Sequence, residues 1–358
     1  VRRLLENGAN TSFVNQVADK SIDVSQLTQS PVATLALKNG FENPYIPLPG
    51  DLFSDRRNSV GVNVTHGKQF ADLQAAMRGF LDQRYTAAPT VNSGNTAQSA
   101  PVVKRSPGCD QDEVGEVVFA NAEGVDAAMQ AASTGFVQWS ATSVDDRAQL
   151  LEAMADAIES AYPELMMLLC REAGKVVTDA INECREAVDF CRYYAANART
   201  QLADQTLPGY TGETNVLRLQ GRGVMVCVSP WNFPLAIFVG QIAAALVAGN
   251  TVVAKPAEQT SCIAARLVVL FQQAGLPSDA LLLVPGTGAK VGEALVQHAL
   301  TAGVMFTGST ATAQHINRRL AEKPGPIVPF VAETGGMNAM IVDSSALPEQ
   351  VVQDVVLS

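Results

Sequence analysis

The sequence predicts a doubly wound α/β fold, a parallel sheet covered by helices on both faces, preceded by a helical and irregular N-terminal arm. Three observations point there. From Gly223 onward, short apolar runs alternate with helical periods, the pattern of βα units feeding a parallel sheet. Hydrophobic residues make up 47% of the chain and charged residues 17%, enough to bury a sizeable core and too few charges for wholesale disorder. At 358 residues one hydrophobic core has stopped growing, so two structural units, or one large α/β domain with additions, are expected.

Taken in order, Val1 to about Leu37 reads as a short helix followed by polar turns, too small to bury a core by itself. Residues 38–61, which include NGFENPYIPLPGD, favour turns and extended backbone. Residues 66–85 place Phe70, Leu73, Met77, Phe80 and Leu81 on one face of an amphipathic helix, and TAAPTVNSGNTAQSAP then reads as a low-complexity surface segment. After Val114, VGEVVFANAEGVDAAMQAA predicts a strand and a helix. SVDDRAQLLEAMADAIESA predicts a capped helix with Leu150, Leu151, Met154 and Ile158 at helical spacing. Residues 163–203 repeat apolar side chains every three or four positions and predict long packing helices. From Gly223 come strand GVMVCVSP, helix PLAIFVGQIAAALVAG, strand NTVVAKP, helix TSCIAARLVVLFQQAG, strand ALLLVPG, helix AKVGEALVQHA, strand GVMFTGS and helix TATAQHINRRLAEK, then the apolar runs IVPFVAE and AMIVD. The expected division is a tail at 1–37, a linker and arm at 38–110, and the α/β domain at 111–358.

Composition excludes several classes of partner. A net charge of −10 repels phosphate backbones, so nucleic acid is not expected to bind this segment. Six cysteines (Cys109, Cys170, Cys184, Cys191, Cys227, Cys262) are scattered without CxxC pairs, which fits reduced thiols in a cytosol, and no metal site is expected. The start, VRRLLENGAN, has no apolar signal-peptide core, and no uncharged run reaches the roughly 18 residues of a membrane span. It also lacks an initiator Met, so both ends are expected to be cuts.

In a sheet of this kind ligands bind beyond the carboxyl ends of the strands, where SPWNFP, KPAEQT, PGTG and FTGST all fall. Asn232 can donate its carboxamide to an oxyanion, or can cap a turn beside Pro234. Phe233 is by default a packing aromatic, and Trp231 can donate its indole N–H to phosphate or simply pack. Lys255 and Glu258, three residues apart after a strand, can reach ribose hydroxyls or form a solvated ion pair; a carboxylate there would accept from a 2′-hydroxyl and repel a 2′-phosphate. Gly286 and Gly288 lie in PGTGAKVG, whose GxGxxxG spacing differs from the usual dinucleotide fingerprint. Gly308 permits close approach, and Ser309 can cap a helix whose N–H groups suit a pyrophosphate, or be a plain cap. Glu333, in AETGG, ends a strand beside two glycines that leave its carboxylate free to swing.

SPWNFP, KPAEQT, FTGST and ETGG, in this order and spacing, resemble the aldehyde dehydrogenase superfamily over roughly residues 110–358. The opening VRRLLENGANTSFVN resembles the final substrate-binding helix of bacterial proline dehydrogenase. Together they are similar to the bifunctional proline utilisation A family. The resemblance implies NAD as cofactor, with FAD confined to the proline-oxidising part of a parent protein, and glutamate semialdehyde as substrate. It makes Asn232 the oxyanion donor, Glu333 the general base that activates the hydrolytic water, and Phe233 a wall of the aldehyde channel. It assigns Trp231, Lys255, Glu258, Gly286, Gly288, Gly308 and Ser309 to the cofactor, and Arg2 and Arg3 to the proline carboxylate of the parent. The family's nucleophilic cysteine falls beyond Ser358, so the chain is expected not to turn over aldehyde alone. A cytoplasmic bacterial parent, homo-oligomeric and open to peripheral attachment at the inner membrane, is implied too. Another NAD-dependent aldehyde dehydrogenase, or a non-catalytic NAD-binding module, are the competing readings.

Overall fold

The computed structural model describes residues 45–91 and 100–358, together with 17, 19, 21–28, 30, 32 and 36. Arg2 and Arg3 lie outside the described residues. The chain divides into two compact units, Val1–Leu48 and Pro49–Ser358. In the first, a helical turn at Val24–Leu27 starts at Asp23, whose carboxylate accepts the Ser25 N–H at 2.9 Å.

The second unit begins with an arm held by polar contacts. Ser59 is fully buried, and its N–H and hydroxyl both donate to Asp189, at 2.8 and 2.6 Å. Helix α1 (Gly67–Arg78) buries Leu73 and Met77. The helix expected to run to residue 85 stops at Gly79, a poor helix former, and the turn beyond it is clasped by Arg171, whose guanidinium donates to the Gln83 carbonyl at 2.6 Å. Strand β1 (Tyr85–Ala87) follows directly. Its Tyr85 and Ala87 are buried, so within TAAPT, read as low-complexity surface, Ala87 is corrected to core. Three residues suffice because β1 lies parallel to β3 (Cys109–Val117), which also pairs antiparallel with β2 (Val102–Ser106). Gly115 of β3 is required there, since a Cβ would sit 2.0 Å from the Tyr85 carbonyl oxygen. The boundary expected at residue 110 falls inside β3.

Four helices follow: α2 (Ala122–Ala141), α3 (Val144–Ser160), α4 (Tyr162–Glu172) and α5 (Val177–Gln201). Asn121 caps α2 by accepting the Gly124 N–H at 2.8 Å, and Ser143 caps α3 as its sequence predicts. A two-stranded ribbon, β4 (Gln205–Leu207) with β5 (Asn215–Leu217), leads into the main sheet.

That sheet contains β6 (Val224–Val228), β7 (Thr251–Lys255), β8 (Leu281–Leu283), β9 (Thr301–Thr307) and β10 (Phe330–Glu333). They are joined by α6 (Ala236–Val247), α7 (Ser261–Gln273), a π-helical turn at Gly288–Gly292 leading into α8 (Glu293–Gln297), and α9 (Thr310–Glu322). The order is β10-β9-β6-β7-β8, and every pairing is parallel. Alternate residues of β6 to β9 enter opposite cores. Met225 and Cys227 join a cluster with α3 to α7, whereas Val224 and Val226 join one with α2, α8 and α9. The doubly wound expectation therefore holds. The strand order reverses between β6 and β9, which opens a crevice beyond their carboxyl ends.

One apolar run departs from expectation. AMIVD forms no strand: Ile341 is 92% exposed and no neighbouring strand offers a ladder to it. The last helix, α10 (Pro348–Leu357), has no buried residue. No described helix is long and apolar enough to cross a membrane.

Candidate active site

Each motif emerges from the carboxyl end of a parallel strand: SPWNFP after β6, KPAEQT after β7, PGTG after β8, FTGST after β9 and ETGG from the end of β10. Register places Val228 level with Phe306, and Thr307 level with Glu333. The sheet thus aligns the start of the SPWNFP loop with the last residues of β9 and β10.

At the switch point a cavity of about 430 Å³ opens between the π-helical turn with α8 and the first turns of α9. Val228 and Phe306 form its floor, Val296 and Ile316 its apolar walls, and Gly288 its edge. Gly288 has no atom within 4 Å of where a Cβ would project, so the turn offers open backbone to a ligand. Gly286 is different. A Cβ there would lie 2.3 Å from Cγ2 of Val291, so this glycine serves the packing of the turn. Gly308 faces inward too, under the Phe306 ring, and donates its N–H to the Glu333 carbonyl at 3.1 Å. Ser309 is a true N-cap, its hydroxyl accepting the Thr312 N–H at 3.2 Å. Its side chain is committed to the Thr312 N–H, and Ala311 and Thr312 of the first turn of α9 line the crevice.

Lys255 is 4% exposed. Burial pulls its ammonium down to about 8, with the nearby Glu258 carboxylate pulling the other way. Its Nζ donates to the Pro256 carbonyl at 2.7 Å, and its stem packs beneath Gly292 at the cavity edge. The sequence left open a surface ion pair between Lys255 and Glu258. No such contact forms, and Glu258 makes no hydrogen bond among the described residues.

Asn232 is exposed and caps nothing: its carboxamide has no hydrogen-bond partner among the described residues. Trp231 is 58% exposed, so packing does not explain it. The loop that carries them is tied down on either side. Ser229 donates its N–H to the Lys255 carbonyl at 3.3 Å, and the N–H groups of Leu235 and Ala236 donate to Glu183 of α5, at 2.8 and 3.3 Å. Glu183 is paired with Lys175 at 2.8 Å, and the Lys175 ammonium lies 4.0 Å from the centre of the Phe233 ring. Glu172 of α4 does the same for α7, accepting the N–H groups of Cys262 and Ile263 at 2.8 Å each. Sequence reasoning missed both carboxylates.

Glu333 makes no side-chain hydrogen bond among the described residues. It borders a second cavity, of about 410 Å³, shared with Phe190, Tyr194 and Gln241. Gln241 donates to the Thr307 hydroxyl at 3.1 Å, which holds its amide against the end of β9. Gln241 carries no sequence signal of such a role, since it falls mid-helix.

None of the described cysteines is exposed on this rim. Cys184, Cys191, Cys227 and Cys262 are buried, and burial pushes all four thiols up, Cys191 to about 12. Cys170 is half-buried and raised for the same reason, and Cys109 is exposed in the separate β1-β3-β2 sheet.

With this geometry in place, residues 94–358 match the aldehyde dehydrogenase family model. The chain belongs to the aldehyde dehydrogenase family. It is similar along its whole length to the bifunctional protein PutA of Escherichia coli K12, at 44% identity, and spans 27% of that protein. Among solved structures, proline utilization A from Bradyrhizobium japonicum superposes with a TM-score of 0.84 at 46% identity, over 100% of this chain and 33% of the other. A 1-pyrroline-5-carboxylate dehydrogenase from Thermus with bound NAD gives 0.71 at 29% identity, over 82% of this chain and 56% of that one. The apolar crevice, the open backbone at Gly288, the α9 N-terminus and the uncommitted Glu258 fit a dinucleotide in this aldehyde dehydrogenase fold.

Proposed function

We propose that this chain is the NAD-binding part of a glutamate-semialdehyde (1-pyrroline-5-carboxylate) dehydrogenase, within a bifunctional protein that first oxidises proline with FAD. The observation that carries this reading is the pair of uncommitted polar groups, Asn232 and Glu333, on the rim beside the switch-point crevice. Lys255 and Glu258 would hold the adenosine ribose, Gly288 and the α9 N-terminus the pyrophosphate, and Trp231 a phosphate at the loop edge. Bound NAD supplies the hydride acceptor. Asn232 would donate to the oxyanion formed as a thiolate adds to the aldehyde, and Glu333 would take the proton of the water that releases the acid. Phe233 would line the aldehyde's approach. On this reading the nucleophile is none of the six cysteines: four are buried, Cys170 is half-buried in α4, and Cys109 lies in another sheet. The chain alone is therefore expected to bind NAD without oxidising aldehyde. The tail at 1–37 would then belong to the proline-oxidising part, with Arg2 and Arg3 as its candidates to bind the substrate carboxylate and 38–110 as linker and arm. A cytoplasmic, homo-oligomeric parent with peripheral membrane attachment is part of the same proposal.

Calorimetric titration of the chain with NAD tests it. One saturable site is expected, and no heat at millimolar NAD would overturn the reading. In the nucleophile-bearing parent, Asn232→Ala should lower kcat on glutamate semialdehyde by about 10²- to 10³-fold. Unchanged turnover would remove Asn232 from the chemistry.

A further inference from the structure

The side chains of Trp231 and Asn232 form no hydrogen bond among the described residues, and Trp231 and Phe233 are 58% and 40% exposed. A loop so placed has no grip of its own. Helix α6 begins just after it, with Leu235 at the N-cap, and that terminus has no side-chain cap of its own. Its orphan N–H groups are taken instead by Glu183, a fully buried carboxylate 52 residues earlier in the sequence. Lys175, in the turn between α4 and α5, completes the arrangement: 12% exposed, it pairs with Glu183 at 2.8 Å and stands over the Phe233 ring at 4.0 Å. That distance is within the roughly 6 Å of a cation–π contact.

The comparison with Glu172 shows that capping by itself needs no cation. Glu172 accepts two N–H groups at the start of α7 in the same manner, and it forms no ion pair among the described residues. Lys175 is the added part, and the added part is what reaches Phe233. We propose that Lys175 and Glu183 act together as positioning residues for the Trp231–Asn232–Phe233 segment. The carboxylate fixes where the loop enters α6, the ammonium fixes the Phe233 ring, and the intervening backbone thereby fixes the direction of the Asn232 carboxamide. The catalytic consequence rests on the function proposed above; the mechanical one does not.

Trp231 provides the probe. The chain holds two tryptophans, and the other, Trp139, is 5% exposed. In a Trp139→Phe background, emission anisotropy reports on Trp231 alone. Lys175→Met, which keeps the stem and removes the charge, should lower that anisotropy, as should Glu183→Ala. Phe233→Leu, at an exposed position, should reproduce the Lys175→Met change and add nothing to it in the double variant. Lys175→Arg should restore the wild-type signal. In the nucleophile-bearing parent, Lys175→Met should lower kcat about tenfold to a hundredfold with KM for NAD unchanged, the cost of misplacing a group by about 1 Å. Unchanged anisotropy in Lys175→Met, or additive effects of Lys175→Met and Phe233→Leu, would overturn the proposal. Should anisotropy fall while the wild-type parent oxidises no aldehyde, the positioning role stands and the catalytic reading fails.

Discussion

Replacing Gly286 by Ala separates two roles that look alike in sequence. The new Cβ would lie 2.3 Å from Cγ2 and 2.8 Å from Cβ of Val291. Carbon atoms rest at about 3.5–4.0 Å, so one side must move by roughly 1 Å. Val291 has little freedom to give way: it is 2% exposed, β-branched and packed in the core that faces α8 and α9. Overpacking of this kind costs about 1–3 kcal/mol. Val291→Ala removes the nearer atom but leaves the Cβ contact, so it should relieve part of the strain. The double variant should be more stable than the sum of the singles by about 1 kcal/mol, within the usual range for residues in contact. Urea denaturation followed by circular dichroism measures all three variants, with the slope checked for constancy. NAD titration should show weaker binding by Gly286→Ala, because the Gly288–Gly292 turn shifts with Val291. Loss of NAD binding with unchanged stability and no coupling to Val291 would refute the packing argument and return Gly286 to direct ligand contact.

The ribose contact proposed for Lys255 predicts a pH dependence of NAD binding. Its folded value, lowered to about 8, means that the ammonium is present below pH 8 and lost above it. The dissociation constant for NAD, measured by calorimetry, should rise as pH passes through 8, and Lys255→Met should flatten the curve. Glu258→Ala should shift the ratio of NAD to NADP affinity toward NADP by about tenfold, read by titration with each dinucleotide. An unchanged ratio would take Glu258 away from the ribose. Glu172 is raised to about 7 by burial, against the N–H bonds it accepts from Cys262 and Ile263. A carboxyl raised on folding contributes stability below its unfolded value that is lost as pH rises through the folded one. The thermal midpoint should therefore fall between about pH 4.5 and 7, and Glu172→Gln should make that slope shallower.

The parallel sheet was legible because β6 to β9 are short apolar runs each followed by a helix of regular period. The rim was legible for the same reason: once the strands are known, the residues at their carboxyl ends are known. Strand β1 was not. Its three residues carry no alternation long enough to read, and its partner β3 begins 24 positions after Tyr85. AMIVD failed in the opposite direction, having strand composition without a ladder to join. Within the site, the loops that present Asn232, Lys255 and Glu333 could be placed from sequence. What holds them could not, because Glu183 and Glu172 act over 52 and 90 residues and leave only a Glu amid helical text. Gly286 and Ser309 show the same limit at short range: their types suit both ligand contact and local packing, and only the position of Val291 and of the Thr312 amide decides between them.

Among the described residues, β10 has one neighbour. Four rungs join it to β9, and most of its residues are exposed. Strand β8 is the other edge, but its three residues are buried and Leu283 also bonds to Thr90, while β9, β6 and β7 are each paired on both sides. The free energy of local opening follows such differences, so amide exchange should be fastest in β10 and slowest in β6 and β7. Glu333 thus rides on the least protected strand of the sheet, while Lys255 and the SPWNFP loop spring from the best protected ones. The bed proposed for the cofactor can remain closed while the strand bearing the proposed base opens and re-forms, and motions at the two places need not be synchronised.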